Sequence, residues 1–140
     1  MSSRARKRRA KPRVSRSLGP SIGCGVDVVE LPRFARVMQR GGHAFMRRVF
    51  TPHEEAYANA RPRTKLLHLA GRFAAKEAVI KAMSQINPKR PLMMHQVEVR
   101  NDQLGRPHVV LHDGRQERVT IHVSLSHVES VAVASAIAVR

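Results

Sequence analysis

GRFAAKEAVIKAM, Gly71 to Met83, is the stretch whose reading decides the fold. Wound at 3.6 residues per turn, it places Ala75, Ala78, Val79 and Ala82 along one side and Phe73 and Ile80 along the other. A helix apolar on both sides is buried in its own protein or in an interface. Lys76, Glu77 and Lys81 nevertheless lie inside it. Glu77 and Lys81 are four apart and share a face, so a structural Glu–Lys pair is the plainest reading. A carboxylate at such a wall must be paired, hydrogen-bonded or bound to a metal.

The partner surface for this helix is written near the C-terminus. Ser130 to Val139 alternates Val131, Val133, Ile137 and Val139 with Ala132, Ala134, Ala136 and Ala138. Alanines on one face of a strand let a helix pack closely. Val119 to Leu125 alternates in the same way, and His127-Val128-Glu129 joins the two runs as an antiparallel hairpin.

Upstream, Ser21 to Glu30 (SIGCGVDVVE) reads as a strand with Ile22, Cys24, Val26 and Val28 on one face. Gly23, Gly25 and Asp27 share the other. Glycines at alternate positions allow something to approach the backbone closely. Asp27 is out of place on a strand: it either caps the next turn or holds a metal. Leu31 to Arg40 is then expected as a helix with Phe34, Val37 and Met38 inward, ended by Gly41-Gly42. Its Arg33, Arg36 and Arg40 form a basic stripe, either a solvated face or a docking surface for an acidic helix.

Ala44 to Phe50 is a short apolar segment. Thr51-Pro52-His53-Glu54 reads as a capping box opening a helix to about Ala60, broken by Arg61-Pro62-Arg63. The long helix follows, from about Thr64 to Ser84. After the loop Asn87 to Pro91, two more strands, Gln96 to Arg100 and His108 to His112, flank a turn at Asn101 to Gly105. The expected fold class is α+β: an antiparallel sheet packed on a long central helix.

The chain has 140 residues, enough for one domain with a real core. Its net charge of +16 is uneven: residues 1–20 carry eight basic residues and no acidic one. That segment reads as a basic disordered extension, and residues 21–140 as the folded domain. A body that is still basic points to a polyanionic partner: nucleic acid, an anionic membrane, a phosphate-rich small molecule or an acidic protein. Cys24, the sole cysteine, excludes an intrachain disulfide and a cysteine-rich zinc site, which fits the cytoplasm. No apolar run approaches the ~20 residues that span a bilayer, and no signal-peptide core is present.

Asp27 and Glu77, two carboxylates in unfriendly places, suit Mg²⁺, which takes one or two carboxylates and completes its shell with water and phosphate oxygens. Lys81, one turn from Glu77, then stands where phosphate charge needs neutralising. His127 follows Ser124-Leu125-Ser126, but adjacent residues on an extended chain point opposite ways, so Ser126 and His127 do not make a nucleophile–base pair.

Three motifs appear in order: Gly25-Val26-Asp27-Val28-Val29-Glu30 with Arg33, then AGRFAAKEAVIKA at residues 70–82, then VSLSH at residues 123–127. Together they resemble the short, single-domain holo-[acyl-carrier-protein] synthases of the 4′-phosphopantetheinyl transferase superfamily, over about residues 22–139. The resemblance implies that family's fold. It implies Mg²⁺-dependent transfer of 4′-phosphopantetheine from coenzyme A to a serine of apo acyl carrier protein, with release of adenosine 3′,5′-bisphosphate, in fatty acid biosynthesis. By motif, Asp27 and Glu77 are the implied metal ligands and Glu77 the acceptor of the serine proton, directly or through a metal-bound water. Lys81 is implied at the leaving phosphate. Arg72, Lys76 and His127 are implied at coenzyme A phosphates, and Arg33 at the carrier, with Arg36 and Arg40 added by helical spacing. Homotrimers with sites between subunits are implied as well.

Two features depart from that pattern. Met83 to Pro91 (MSQINPKRP) lacks the glycines common after the central motif, and residues 1–20 have no counterpart in the short enzymes. A basic nucleic-acid-binding protein and an inactive carrier-binding relative are the competing readings. Salt-sensitive binding lost with residues 1–20 marks the first, and coenzyme A binding without transfer marks the second.

Overall fold

The computed structural model describes residues 21–140. The expected extension, residues 1–20, lies outside the described residues. The order is β1 (Ile22–Glu30), α1 (Leu31–Val49), α2 (Pro52–Asn59), α3 (Lys65–Ile86), β2 (Val97–Asn101), β3 (Pro107–Leu111), β4 (Thr120–His127) and β5 (Val131–Val139). The α+β class holds, with one correction: the strands form two antiparallel sheets. One has the order β1-β5-β4, and β2 and β3 make a separate hairpin.

Packing of α3 on the larger sheet follows from the small residues. On the central strand β5, Ala132, Ala134, Ala136 and Ala138 are all buried. Gly23, Gly25 and Asp27 of β1 pair with Ala138, Ala136 and Ala134, so they share that buried face. A methyl added at Gly25 would sit 2.0 Å from the Ala78 carbonyl oxygen, and one at Gly23 2.0 Å from that of Ala82. Both obstacles are helix backbone, which cannot step aside like a side chain. Gly25→Ala is therefore expected to cost about 1–3 kcal/mol, the usual scale of overpacking, read as a lowered melting temperature.

The opposite face of the sheet is apolar and open: Ile22, Val26, Val28 and Ile137 are exposed. Helix α1 runs on past Arg40 to Val49, but Gly42 breaks it with φ 52° and ψ −143°. The Gly41-Gly42 stop signal is thus obeyed as a kink, and Ala44 to Phe50 resumes the helix. Phe34 and Phe45, on either side of the kink, meet Phe73 of α3 at ring separations of 5.4 and 6.3 Å. Val37, expected inward, is 43% exposed.

The capping box forms as read. Thr51 Oγ1 accepts from the Glu54 amide, and Glu54 Oε2 accepts from the Thr51 amide. Glu54 does more than cap. It is fully buried, its Oε1 accepts from the Val99 amide at 2.8 Å, and its Oε2 takes Lys76 Nζ at 2.5 Å. One carboxylate thereby ties α2, α3 and β2 together. Beyond α3, the loop without glycines is fixed by charge: Arg90 donates to the Asp113 carbonyl, and Arg115 donates to the Arg90 carbonyl. Arg115 also pairs with the Asp113 carboxylate.

Candidate active site

Asp27 on β1 and Glu77 on α3 line one cleft of about 490 Å³. Val28, Val29 and Glu30 of β1, Arg33, Phe34 and Val37 of α1 and Phe73 of α3 complete its walls. The residues arrive there for local reasons. Asp27 faces α3 because strand alternation puts it on the glycine face. Glu77 lies on the flank of α3, between the stripe buried on the sheet and the Phe73–Ile80 side.

Lys81 does not pair with Glu77, its neighbour along the helix. Its Nζ donates instead to Asp27 Oδ1 and to the Val26 carbonyl, both at 2.9 Å. Among the described residues Glu77 has no such partner. Burial pushes its carboxyl above the usual carboxylate range, Asp27 pushes it further, and Lys81 opposes. Two carboxylates on one open cleft, one of them lacking a cationic partner, present hard oxygen donors that suit one small cation. Among the described residues no three His, Cys, Asp or Glu side chains gather. The donor set fits Mg²⁺, which leaves most of its shell to water and ligand phosphate.

Arg72 and His127 belong to a second group. His127 ends β4, and β5 lies between β4 and β1, so Asp27 is two strands away. Arg72 precedes Glu77 by five residues, about 7.5 Å along a helix axis, and is turned roughly 140° from it around the helix. Arg72 is 4% exposed, and its Nη2 donates to Asn101 Oδ1 at 2.7 Å. His68 links the pair: burial lowers its pKa, followed by the charges of Arg72, Arg61 and His127.

Lys76 lies one turn after Arg72 on α3 but is turned into the core, which tells against the coenzyme A phosphate contact that the resemblance implied. It is fully buried, bonded to Glu54, and lies 5.5 Å from the Phe50 ring centre. Burial pushes its ammonium down and Glu54 partly restores it. The signal was present in the sequence: a buried lysine needs a partner, and Glu54 of the capping box was the carboxylate already bound to sit at a helix start. Arg33, Arg36 and Arg40 are exposed along α1, with Arg33 on the rim of the Asp27–Glu77 cleft.

A family model described as the 4′-phosphopantetheinyl transferase superfamily matches residues 23–136. A holo-[acyl-carrier-protein] synthase of Geobacter sulfurreducens is 40% identical over 119 residues, covering 81% of this chain and 93% of its own. One from Mycolicibacterium smegmatis is 44% identical over 124 residues, 83% of this chain and 95% of its own. Among solved structures, an ACPS–CoA complex of Chronobacterium ammoniagenes superposes with a TM-score of 0.72 at 36% identity, covering 84% of this chain and 96% of that one. The acyl carrier protein synthase of Mycobacterium tuberculosis gives 0.65 at 40% identity, with 84% and 97% covered.

Proposed function

The chain belongs to the 4′-phosphopantetheinyl transferase superfamily, and from that premise we propose that it is a holo-[acyl-carrier-protein] synthase with its reacting centre at Asp27, Glu77 and Lys81. It is an enzyme that moves 4′-phosphopantetheine from coenzyme A to the serine of an apo acyl carrier protein. The observation that carries the site is the convergence of Asp27 and Glu77 from β1 and α3 on one cleft.

Asp27 and Glu77 hold Mg²⁺ in this reading. Bound there, the ion supplies Lewis-acid polarisation of the coenzyme A pyrophosphate and neutralises developing charge. The chain's own groups do the rest. The serine Oγ of the carrier attacks the phosphorus that bears pantetheine, and the bond to adenosine 3′,5′-bisphosphate breaks. Glu77 accepts the serine proton, directly or through a water. Lys81 turns from Asp27 to the leaving phosphate. Arg72 and His127 contact phosphates of coenzyme A.

Since these two stand apart from the Asp27–Glu77 cleft, the complete site is assembled between subunits of a homotrimer. The exposed apolar face of β1 and β5 supplies the subunit contact. The carrier's acidic helix meets Arg33, Arg36 and Arg40, and the enzyme works in the cytoplasm in fatty acid biosynthesis. No helix among the described residues is long and apolar enough to cross a membrane.

Incubation with coenzyme A, Mg²⁺ and an apo acyl carrier protein, followed by intact-mass spectrometry of the carrier, tests this. A gain of one phosphopantetheine supports it; an unmodified carrier sinks it. Asp27→Asn should remove most of the signal while the fold persists. Reversing charge with Arg36→Glu and Arg40→Glu should raise the KM for the carrier by roughly 10-fold or more at low salt, with kcat little changed. Increasing ionic strength should raise the wild-type KM in the same direction.

A further inference from the structure

Gln85 of α3 holds the edge of β1 with both ends of its amide. Its Oε1 accepts from the Cys24 N–H at 3.0 Å, and its Nε2 donates to the Cys24 carbonyl at 2.7 Å. β1 is an outer strand, in the order β1-β5-β4, so this edge faces away from β5. The side chain thus makes the two bonds that a neighbouring strand would make. One step further along, Lys81 Nζ donates to the Val26 carbonyl at 2.9 Å. Glycine favours helix ends, and MSQINPKRP has none, so α3 runs on to Ile86 and carries Gln85 over the strand.

Glu77, Lys81 and Gln85 recur every four residues and form one file along α3. Four helical residues rise about 6 Å and two strand residues about 6.6 Å, so the file keeps step with alternate residues of β1. Gln85 meets Cys24 and Lys81 meets Val26, and the same step brings Glu77 to Val28, next to Asp27 in the cleft lining. The glycines agree with this register, Gly23 lying against Ala82 and Gly25 against Ala78. Those contacts set how closely α3 approaches the strand. Directional hydrogen bonds set how far one slides along the other, and that slide governs how Glu77 faces Asp27.

We propose that Gln85 is a positioning residue for the Asp27–Glu77 pair, keeping β1 in register with α3 while Lys81 is drawn away. This rests on the proposed reaction, in which Lys81 gives up Asp27 for the leaving phosphate and the Val26 carbonyl with it. The rung nearest the site is then lost. An uncharged amide is a weaker partner for phosphate than an ammonium, so the Gln85 rung at Cys24 stays in place and holds the strand.

The test compares Gln85→Met, which keeps length and helix propensity but removes both bonds, with Gln85→Asn, whose amide is one methylene short. Hydrogen exchange followed by NMR should show the Cys24 amide exchanging roughly 3- to 10-fold faster in both, the size of one or two net hydrogen bonds. Titration calorimetry should show Mg²⁺ binding weakened by a similar factor, roughly 3- to 10-fold, and kcat should fall with it. The KM for the carrier should stay near wild type. In a Lys81→Met background, where the Val26 rung is absent throughout, Gln85→Met should weaken Mg²⁺ binding further than it does in the wild type. An equal loss in both backgrounds overturns the role. So does a lower melting temperature with unchanged Mg²⁺ affinity and kcat, which would mark the bonds as structural only, and so does unchanged exchange at Cys24. Each of these leaves the transferase reading standing. Failure of the wild-type chain to modify the carrier overturns both.

Discussion

Glu77→Gln is expected to lower the transfer rate by on the order of 10²–10³, the scale of removing one preorganised electrostatic group at developing charge, and to make the metal-free protein more stable. The two effects have one cause. In the fold, burial and Asp27 raise the proton affinity of Glu77, while Lys81 is committed to Asp27. Between the ordinary glutamate pKa and the raised one, the folded chain binds more protons than the unfolded chain. By linkage, stability falls as pH rises through that window, and at neutral pH the ionised Glu77 is a net burden.

Glutamine removes the charge and keeps the shape. Because Glu77 is partly exposed, solvent screening reduces the gain, and a rise on the order of 2 °C in melting temperature is expected. It should shrink below the ordinary glutamate pKa, where both forms are neutral. Differential scanning calorimetry without divalent ions, at pH 7.5 and pH 4, checks this beside the rate. A loss of stability at neutral pH would show that Glu77 is a structural partner and not a ligand in waiting. Mg²⁺ should stabilise the wild type more than the variant.

Lys76→Met should act in the reverse sense, with stability lost first. Removing one member of a buried pair leaves the other charged and dry, at a cost of about 3–5 kcal/mol. Here the orphan is Glu54, which would still cap α2 and accept from Val99. For a domain of about this size, such a loss corresponds to a fall of roughly 10–20 °C in melting temperature. Thermal unfolding followed by circular dichroism measures it. At a temperature where the variant is folded, the KM for coenzyme A should be close to wild type, because Lys76 does not reach the cleft. A melting temperature unchanged from wild type, with a large rise in that KM, would return Lys76 to the phosphate role that its motif implies.

Several features were legible before any coordinates. The alternation in Val131 to Val139 gave the buried alanine face, and Gly23 and Gly25 announced a close approach that proves to be the backbone of α3. The capping box at Thr51 and Glu54 is local chemistry and forms as its sequence says. Asp27 and Glu77 were conspicuous because an unpaired carboxylate is costly on an apolar surface. The partners of charges were less legible. Lys81 passes over its helical neighbour for an aspartate on a strand, and Lys76 reaches a glutamate on another helix. Helical spacing states which side chains are near each other, but a long flexible amine chooses among everything within its reach. The inward placement of Val37 failed for a related reason: the kink at Gly42 and the cleft beside Phe73 leave it without cover.

The sequence by itself determined the element types, the glycine and alanine faces that let α3 lie on the sheet, and the two carboxylates that had to be explained. These follow from period, size and the cost of burying charge, all of which act over a few residues. The tertiary structure alone decided that the strands divide into two sheets and that Lys76 belongs to Glu54. It also set Arg72 and His127 outside the lining of the Asp27–Glu77 cleft. Those outcomes depend on contacts between residues far apart in the chain, whose energies are settled only when every element has competed for the same space.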